Sequence, residues 1–225
     1  MPIEPPATSW DLASARMDVA DDLVAVGADL EPGTILSAYR LGLFPMGLGT
    51  HGRAPIGWWG PVRRGVLLHG DLHVSRSLRR SMRRFHVTVD AEFDAVLDGC
   101  ADPSRSGRWI TDDIRTAYRR LHDLGWAHSI EVWEGEDLVG GLYGMAVGGL
   151  FAGESMFHHA TDASKAAVLA LDRLVYADGD PRRVIDVQWR TPHLATLGVR
   201  EISRTAYLTA LSEALELGPP DAFGA

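Results

Sequence analysis

The chain has 225 residues, enough to bury a substantial core in one large domain or two small ones. Hydrophobic residues make up 46% and charged residues 23%, which excludes a disordered chain, and a formal net charge of −8 argues against a protein that coats nucleic acid through bulk charge. A single cysteine, Cys100, excludes an internal disulfide framework and leaves too little thiol for a structural zinc site.

In chain order, LVAVGADL ends in a turn, and Glu31-Pro32-Gly33-Thr34 leads into a helix whose Ile35, Leu36, Tyr39 and Leu43 share one face. The stretch from Phe44 to Pro61 reads as loop, because glycine and proline punctuate it throughout. It nevertheless carries Trp58 and Trp59, and packing beneath the loop is expected to hold at least one of them. From Arg64 the texture changes. Gly65 to Leu68 reads as a strand, Ser75 to Arg84 as a basic helix opening near a serine cap, and Phe85 to Val89 as a second strand. A helix through Phe93, Val96 and Leu97 follows, then a longer one from Ile110 to Leu124 with Ile114, Ala117, Tyr118 and Leu121 at helical spacing. SIEVWE and LVGGLYGMAVGGLFAG read as strands, the latter a hairpin turning at Ala146-Val147-Gly148-Gly149. A helix near Ser164–Tyr176, the strand VIDVQW and a helix near Thr205–Leu217 complete the order, and the tail from Gly218 to Ala225 looks flexible. The element order predicts an α+β fold with a mixed sheet. The opening MPIEPPATSW lacks the basic-then-apolar pattern of a signal peptide, and no apolar run reaches membrane-span length. A cytoplasmic protein without membrane association is therefore expected.

Charge is unevenly spread. Between Arg63 and Arg84 stand seven arginines against Asp71 alone, a local charge of +6 in 22 residues. Arg76, Arg79, Arg80, Arg83 and Arg84 fall at i, i+3, i+4, i+7 and i+8, which on a continuous helix is one stripe. Such a stripe is either a solvated face or a contact for a phosphate backbone. Its concentration in an acidic chain favours contact with an RNA backbone. The glycines of the hairpin match no dinucleotide or phosphate-loop spacing, so no nucleotide cofactor is expected. His158 and His159 are adjacent, which is the wrong spacing for helical metal ligands, and no metal is expected.

Taken together, LVAVGADL, AYRLGLFP, WWGP, RRGVL, VSRSLRRSMRRF, GRWI, AYRRLHDLGWAHSIEVW, LVGGLYG, LFAGESMFH, DASKAA, IDVQW and HLATLG resemble the bacterial leucyl/phenylalanyl-tRNA–protein transferases. The segments run in one order from about Asp22 to Tyr207. The resemblance implies a small N-terminal domain, residues 1–62, followed by an N-acetyltransferase-like (GNAT-type) mixed-sheet domain, residues 63–225. It implies an aminoacyltransferase that moves Leu or Phe, and Met less readily, from aminoacyl-tRNA to acceptor proteins beginning with Arg or Lys. Such transfer marks them for N-end rule degradation. The expected enzyme is a monomer without cofactor.

The implied chemistry is aminolysis of an ester by an α-amine whose pKa, about 7.7–8.0, leaves it partly deprotonated at neutral pH. The site must bring amine and carbonyl together, take one proton and stabilise developing charge. Alternation along Val184–Trp189 puts Asp186 and Gln188 on one strand face, which by itself suits a solvated sheet surface equally well. By resemblance Gln188 orients the amine through its amide oxygen, while Asp186 positions Gln188 and favours or accepts the proton. Glu154 lines the same cleft by resemblance, where an acidic group suits a cationic peptide end, and with Asp186 makes that cleft anionic. Leu142, Phe151, Met156 and Leu171 are the expected apolar pocket for the transferred side chain, though each also suits a core. Trp109 matches a stacking tryptophan for the terminal adenosine of the tRNA. Met46 stands where the family usually has a second tryptophan, and Tyr39 and Tyr118 match positions lining the ligand. Two other readings compete: an acetyl-CoA acyltransferase, disfavoured by the missing pyrophosphate loop, and a tRNA-binding module without catalysis.

Overall fold

A computed structural model describes residues 1–15, 17, 20–105 and 108–224. Gly107 of the GRWI segment lies outside the described residues, as does Ala225. The first ordered unit is a three-stranded antiparallel sheet of β1 (Leu23–Val26), β2 (Phe44–Gly47) and β3 (Ile56–Trp59), in the order β1-β3-β2. Helix α1 (Pro32–Arg40) links β1 to β2, starting at a proline whose missing N–H costs nothing in the first turn. The expected Phe44–Pro61 loop thus contains two strands. Glycine and proline concealed them, because Pro45 lies on an edge strand, where no central ladder bond is lost. Trp58 is fully buried and its indole N–H donates to the Gly27 carbonyl at 2.8 Å, so packing does hold it.

The remaining strands are β4 (Arg63–Leu67), β5 (His86–Val89), β6 (Ala127–Glu134), β7 (Asp137–Val147), β8 (Leu150–His158), β9 (Val184–Asp186) and β10 (Arg200–Ser203). They form one mixed sheet in the order β10-β4-β9-β8-β7-β6-β5, antiparallel except for the parallel β8/β9 pair. The α+β architecture with a small N-terminal sheet and a larger mixed sheet is as expected. The β7–β8 hairpin turns on Gly148-Gly149, with Gly148 at φ +58°, a conformation that favours glycine.

Helices α2 (Arg76–Ser81), α3 (Phe93–Cys100), α4 (Asp112–Asp123), α5 (Ala163–Val175), α6 (Pro192–Ala195) and α7 (Arg204–Leu215) complete the fold. Strand alternation divides the buried residues between two cores. Tyr143, Met145 and Ala152 pack with α1, α3, α4 and α7, and the same core takes in Trp58 of the small sheet. Leu142, Ala146 and Phe151 face α5 on the other side. The tail is pinned, contrary to expectation. Phe223 is buried, with its ring 5.0 Å from those of Phe151 and His128. Among the described residues no helix is long and apolar enough to cross a membrane.

Candidate active site

A cavity of about 340 Å³ opens where the small sheet meets the larger one. Its floor owes its shape to two irregularities. Between β7 and β8, Tyr143 pairs with Ser155 and Gly144 with Gly153, so Glu154 is the extra residue of a β-bulge and its side chain turns into the cavity. The second irregularity ends β9. The strand stops at Asp186, and Gln188 adopts φ +58°, an uncommon left-handed conformation for a residue with a Cβ. Strand alternation therefore does not extend to Gln188. Asp186 points into the protein, whereas Val187 and Gln188 both line the cavity. The turn is closed by Gly65, whose N–H donates to the Gln188 carbonyl and whose own carbonyl accepts from Val187, both at 2.9 Å. A Cβ at position 65 would sit 2.7 Å from the Arg190 nitrogen, so only glycine permits the approach.

Of the residues singled out in the sequence, Met46, Trp109, Leu142, Glu154, Met156, Leu171 and Gln188 all line this one cavity. Four others do not. Phe151 is fully buried in the core beside Phe223 and does not line the cavity. Tyr39 and Tyr118 lie beneath the cavity and act on it through Glu154. The Tyr118 hydroxyl donates to Glu154 Oε2 at 2.9 Å, and the Tyr39 hydroxyl lies 2.7 Å behind it. Asp186 has no exposed surface and meets Arg64 in a buried two-pronged pair, Nε–Oδ1 2.8 Å and Nη2–Oδ2 2.5 Å. Its Oδ2 also accepts from the Tyr207 hydroxyl and its Oδ1 from the Gln188 backbone N–H, each at 2.9 Å. Burial opposes the Arg64 charge, but the Asp186 carboxylate outweighs it and holds the guanidinium above its ordinary range. The expected acidic cleft is accordingly corrected. Asp186 is ion-paired with Arg64 below the surface, and among the described residues the cavity lining holds one carboxyl, Glu154, and one cation, Arg105.

Glu154 has an unusual environment. Burial pushes its carboxyl up to about 7, the Tyr39 and Tyr118 hydroxyls pull the other way, and the Asp186 charge adds to the rise. A carboxyl titrating near neutrality is suited to exchange a proton under working conditions. Gln188 Nε2 lies 3.4 Å from Glu154 Oε1, so the amide is held by its nitrogen and leaves its oxygen free for a donor in the cavity.

Sequence reasoning missed several walls. Val168, Ile185, Val187 and Leu194 extend the apolar lining. Phe44 and Trp189 stack edge-on at 5.1 Å, and the Trp189 indole N–H donates to Asp22 at 3.0 Å. Arg105 is held by the carbonyls of Cys100 and Met156 at 2.8 and 2.7 Å. Phe44, Ile185, Val187, Trp189 and Leu194 carried a sequence signal, by sitting in AYRLGLFP, IDVQW and HLATLG, whereas Val168 and Arg105 carried none.

The arginine cluster lies apart from the cavity, and its five side chains are exposed. It is not one helical stripe. Helix α2 ends at Ser81 and the chain tightens into a 3-10 turn over Met82–Arg84, which displaces Arg83 and Arg84 from the line of Arg76, Arg79 and Arg80. Arg84 donates to the Thr161 carbonyl at 2.7 Å and lies 3.7 Å from Glu134. Among the described residues, no three His, Cys, Asp or Glu side chains are grouped to hold a metal ion.

Comparison with known proteins bears on this arrangement. A family model described as leucyl/phenylalanyl-tRNA protein transferase matches residues 66–212, and one for the N-terminal domain of that transferase matches residues 28–62. A protein from Shewanella baltica named leucyl/phenylalanyl-tRNA–protein transferase is 48% identical over 195 residues, covering 85% of this chain and 80% of its own length. A protein of the same name from Erwinia tasmaniensis is 44% identical over 191 residues, with coverages of 84% and 81%. A solved structure from Bacteroides thetaiotaomicron, a conserved protein of unknown function, aligns at 12% identity and a TM-score of 0.38, covering 67% of this chain and 55% of that one. That likeness is too slight to bear on the fold.

Proposed function

This chain belongs to the leucyl/phenylalanyl-tRNA protein transferase family, and from that premise we propose that it moves Leu or Phe, and Met less readily, from aminoacyl-tRNA to acceptor proteins that begin with Arg or Lys. The observation that carries the reading is one cavity lined by an aromatic and a thioether at Trp109 and Met46, an apolar wall at Leu142, Met156 and Leu171, and a polar pair at Gln188 and Glu154. An esterified adenosine with an oily side chain and an incoming amine call for those three surfaces.

In the proposed step, the Gln188 amide oxygen accepts a hydrogen bond from the acceptor's α-amine and aims its lone pair at the ester carbonyl carbon. The C–N bond forms as the bond from that carbon to the ribose oxygen breaks. The proton lost by nitrogen passes to the Glu154 carboxylate, which hands it on to the departing ribose oxygen, so that the leaving group departs as a hydroxyl and Glu154 ends as it began. Asp186 holds Gln188 by its backbone N–H and does not itself meet the substrate. Trp109 stacks on the adenine, with Met46 a weaker second face, and base stacking on an aromatic contributes roughly 1–3 kcal/mol. Leu142, Met156 and Leu171 offer no polar group to distinguish a leucine from a methionine side chain, so methionine is admitted. Arg76, Arg79, Arg80 and Arg83 contact the RNA backbone, and Arg84, partly engaged by Thr161, contributes less.

The reading extends to a cytoplasmic monomer in N-end rule degradation, with residues 1–62 as a small domain and 63–225 as an N-acetyltransferase-type domain. A sheet covered by helices on both faces, with one parallel pair beside the cleft, supports the latter. The test mixes the protein with leucyl-tRNA and acetyl-CoA carrying different labels and a peptide beginning with Arg. Leucyl label on the peptide is the expected result. Acetyl label there, or RNA binding without transfer, overturns the reading.

A further inference from the structure

Resting on that transfer reading, we propose that Arg64 is a positioning residue for the reaction, fixing the Asp186–Gln188 turn so that the Gln188 amide meets the amine. Arg64 is 1% exposed and reaches no cavity surface, so it cannot touch substrate. Every branch of its guanidinium is nevertheless committed around the turn. Nε and Nη2 grip both oxygens of Asp186, and Nη1 donates to the Gly42 carbonyl at 3.1 Å, just before β2. The guanidinium lies between two rings, 4.9 Å from Phe44 and 4.4 Å from Tyr207. Phe44 is itself a wall of the cavity.

Both Asp186 oxygens are therefore oriented by Arg64, and one of them holds the Gln188 N–H. That bond anchors the N–H of the left-handed residue whose side chain faces Glu154. A left-handed glutamine is maintained by its surroundings, and the fork geometry of arginine fixes a carboxylate in both position and plane. Lysine, a point donor on a flexible stem, cannot hold both oxygens in that way. Arg64 thereby ties the small sheet, through Gly42 and Phe44, to the catalytic turn.

The experiment is a double-mutant cycle on the full chain, combining Arg64→Lys with Gln188→Ala and reading kcat and KM for leucyl transfer to an Arg-starting peptide. Arg64→Lys alone is expected to lower kcat by about tenfold or more and leave KM for leucyl-tRNA within about twofold, because residues acting as one unit couple strongly. In the Gln188→Ala background the same change is expected to alter kcat by less than about twofold. Additive losses in the cycle, or a KM that rises with kcat unchanged, overturn the inference. Should Arg64→Lys fail to fold, Tyr207→Phe, which deletes only the hydroxyl between Arg64 and Asp186, enters the same cycle with the same two outcomes. A wild-type chain that moves no leucine sinks the transfer reading and this inference with it. Additive losses in an active wild-type background overturn the inference alone.

Discussion

Replacing Glu154 with glutamine keeps the shape of the side chain and removes its titration. In the folded protein the Glu154 carboxyl titrates near 7, whereas its ordinary value is 4.5. Between those values the folded state holds a proton that the unfolded chain has released, so stability falls as pH rises across that window. Protein with a neutral glutamine pays no such penalty. Each tenfold difference in proton affinity between the folded and unfolded states is worth about 1.4 kcal/mol. Integrated over pH, the penalty is about 1 kcal/mol near pH 5.5 and about 3 kcal/mol near pH 8. Both figures are ceilings, because water in the cleft screens the charge.

Urea unfolding of wild type and Glu154→Gln at the two pH values measures the effect. The variant is expected to be the more stable at both, with its advantage larger by up to about 2 kcal/mol at the higher pH. The bond from the Tyr118 hydroxyl is retained, since the glutamine oxygen can still accept it. A pH-independent difference between the two proteins would refute the reasoning, for then no proton is held by the folded state. Transfer supplies a second reading. The wild-type rate should rise through about pH 7 as Glu154 ionises and again through about 7.7–8.0 as the amine deprotonates, and the variant should be slower and lack the first limb.

Met46→Trp supplies a second aromatic face and is expected to tighten binding of an aminoacyl-adenosine by about 1–3 kcal/mol, roughly fivefold to 150-fold in Kd. Unchanged affinity by calorimetry would place the adenine away from Met46. Replacing Arg76, Arg80 and Arg83 by Ala should reduce the slope of log K for tRNA against log salt by about one for each lost phosphate contact. An unaltered slope would put the RNA on another surface. Phe223→Ala should cost about 3 kcal/mol of stability in urea, because it removes a buried ring from beneath Phe151 and His128. A loss under about 0.5 kcal/mol, the size of an ordinary surface change, would mean the tail is not docked.

How much of this was legible in the sequence depended on whether a residue's role followed from a repeating geometry. Ile114, Ala117, Tyr118 and Leu121 recur at helical spacing, and all four are buried along α4. The Gly148-Gly149 turn was readable because two-residue hairpins need that chemistry. Strands β2 and β3 were not, since their partners lie beyond a gap and their glycines and prolines mimic loop composition. The arginine stripe misled for a related reason. Helical spacing assumes a helix, and nothing in SRSLRRSMRR marks the change to a tighter turn after Ser81. Phe223 gave no local signal at all, because its burial depends on a slot formed by β6 and β8 far earlier in the chain.

The residues proposed for the chemistry were the hardest to place, and for one physical cause. Period-two reasoning put Asp186 and Gln188 side by side on a face, yet the strand ends between them and their side chains part, one into a buried ion pair and the other into the cavity. Period-two reasoning fails at Glu154 too, where an inserted residue in β8 breaks the alternation. In both cases departure from the regular backbone is what directs a polar side chain inward. A strictly alternating β8 would keep the sheet intact and lose that aim. The proposed transfer depends on the two points where the ladder is broken, and the partners that hold the turn after β9, Gly65, Arg64 and Tyr207, are distant from it in sequence. Gln188 could be named from the sequence as a candidate. That Arg64 must hold it in place could not, because their proximity arises only when β4 pairs with β9.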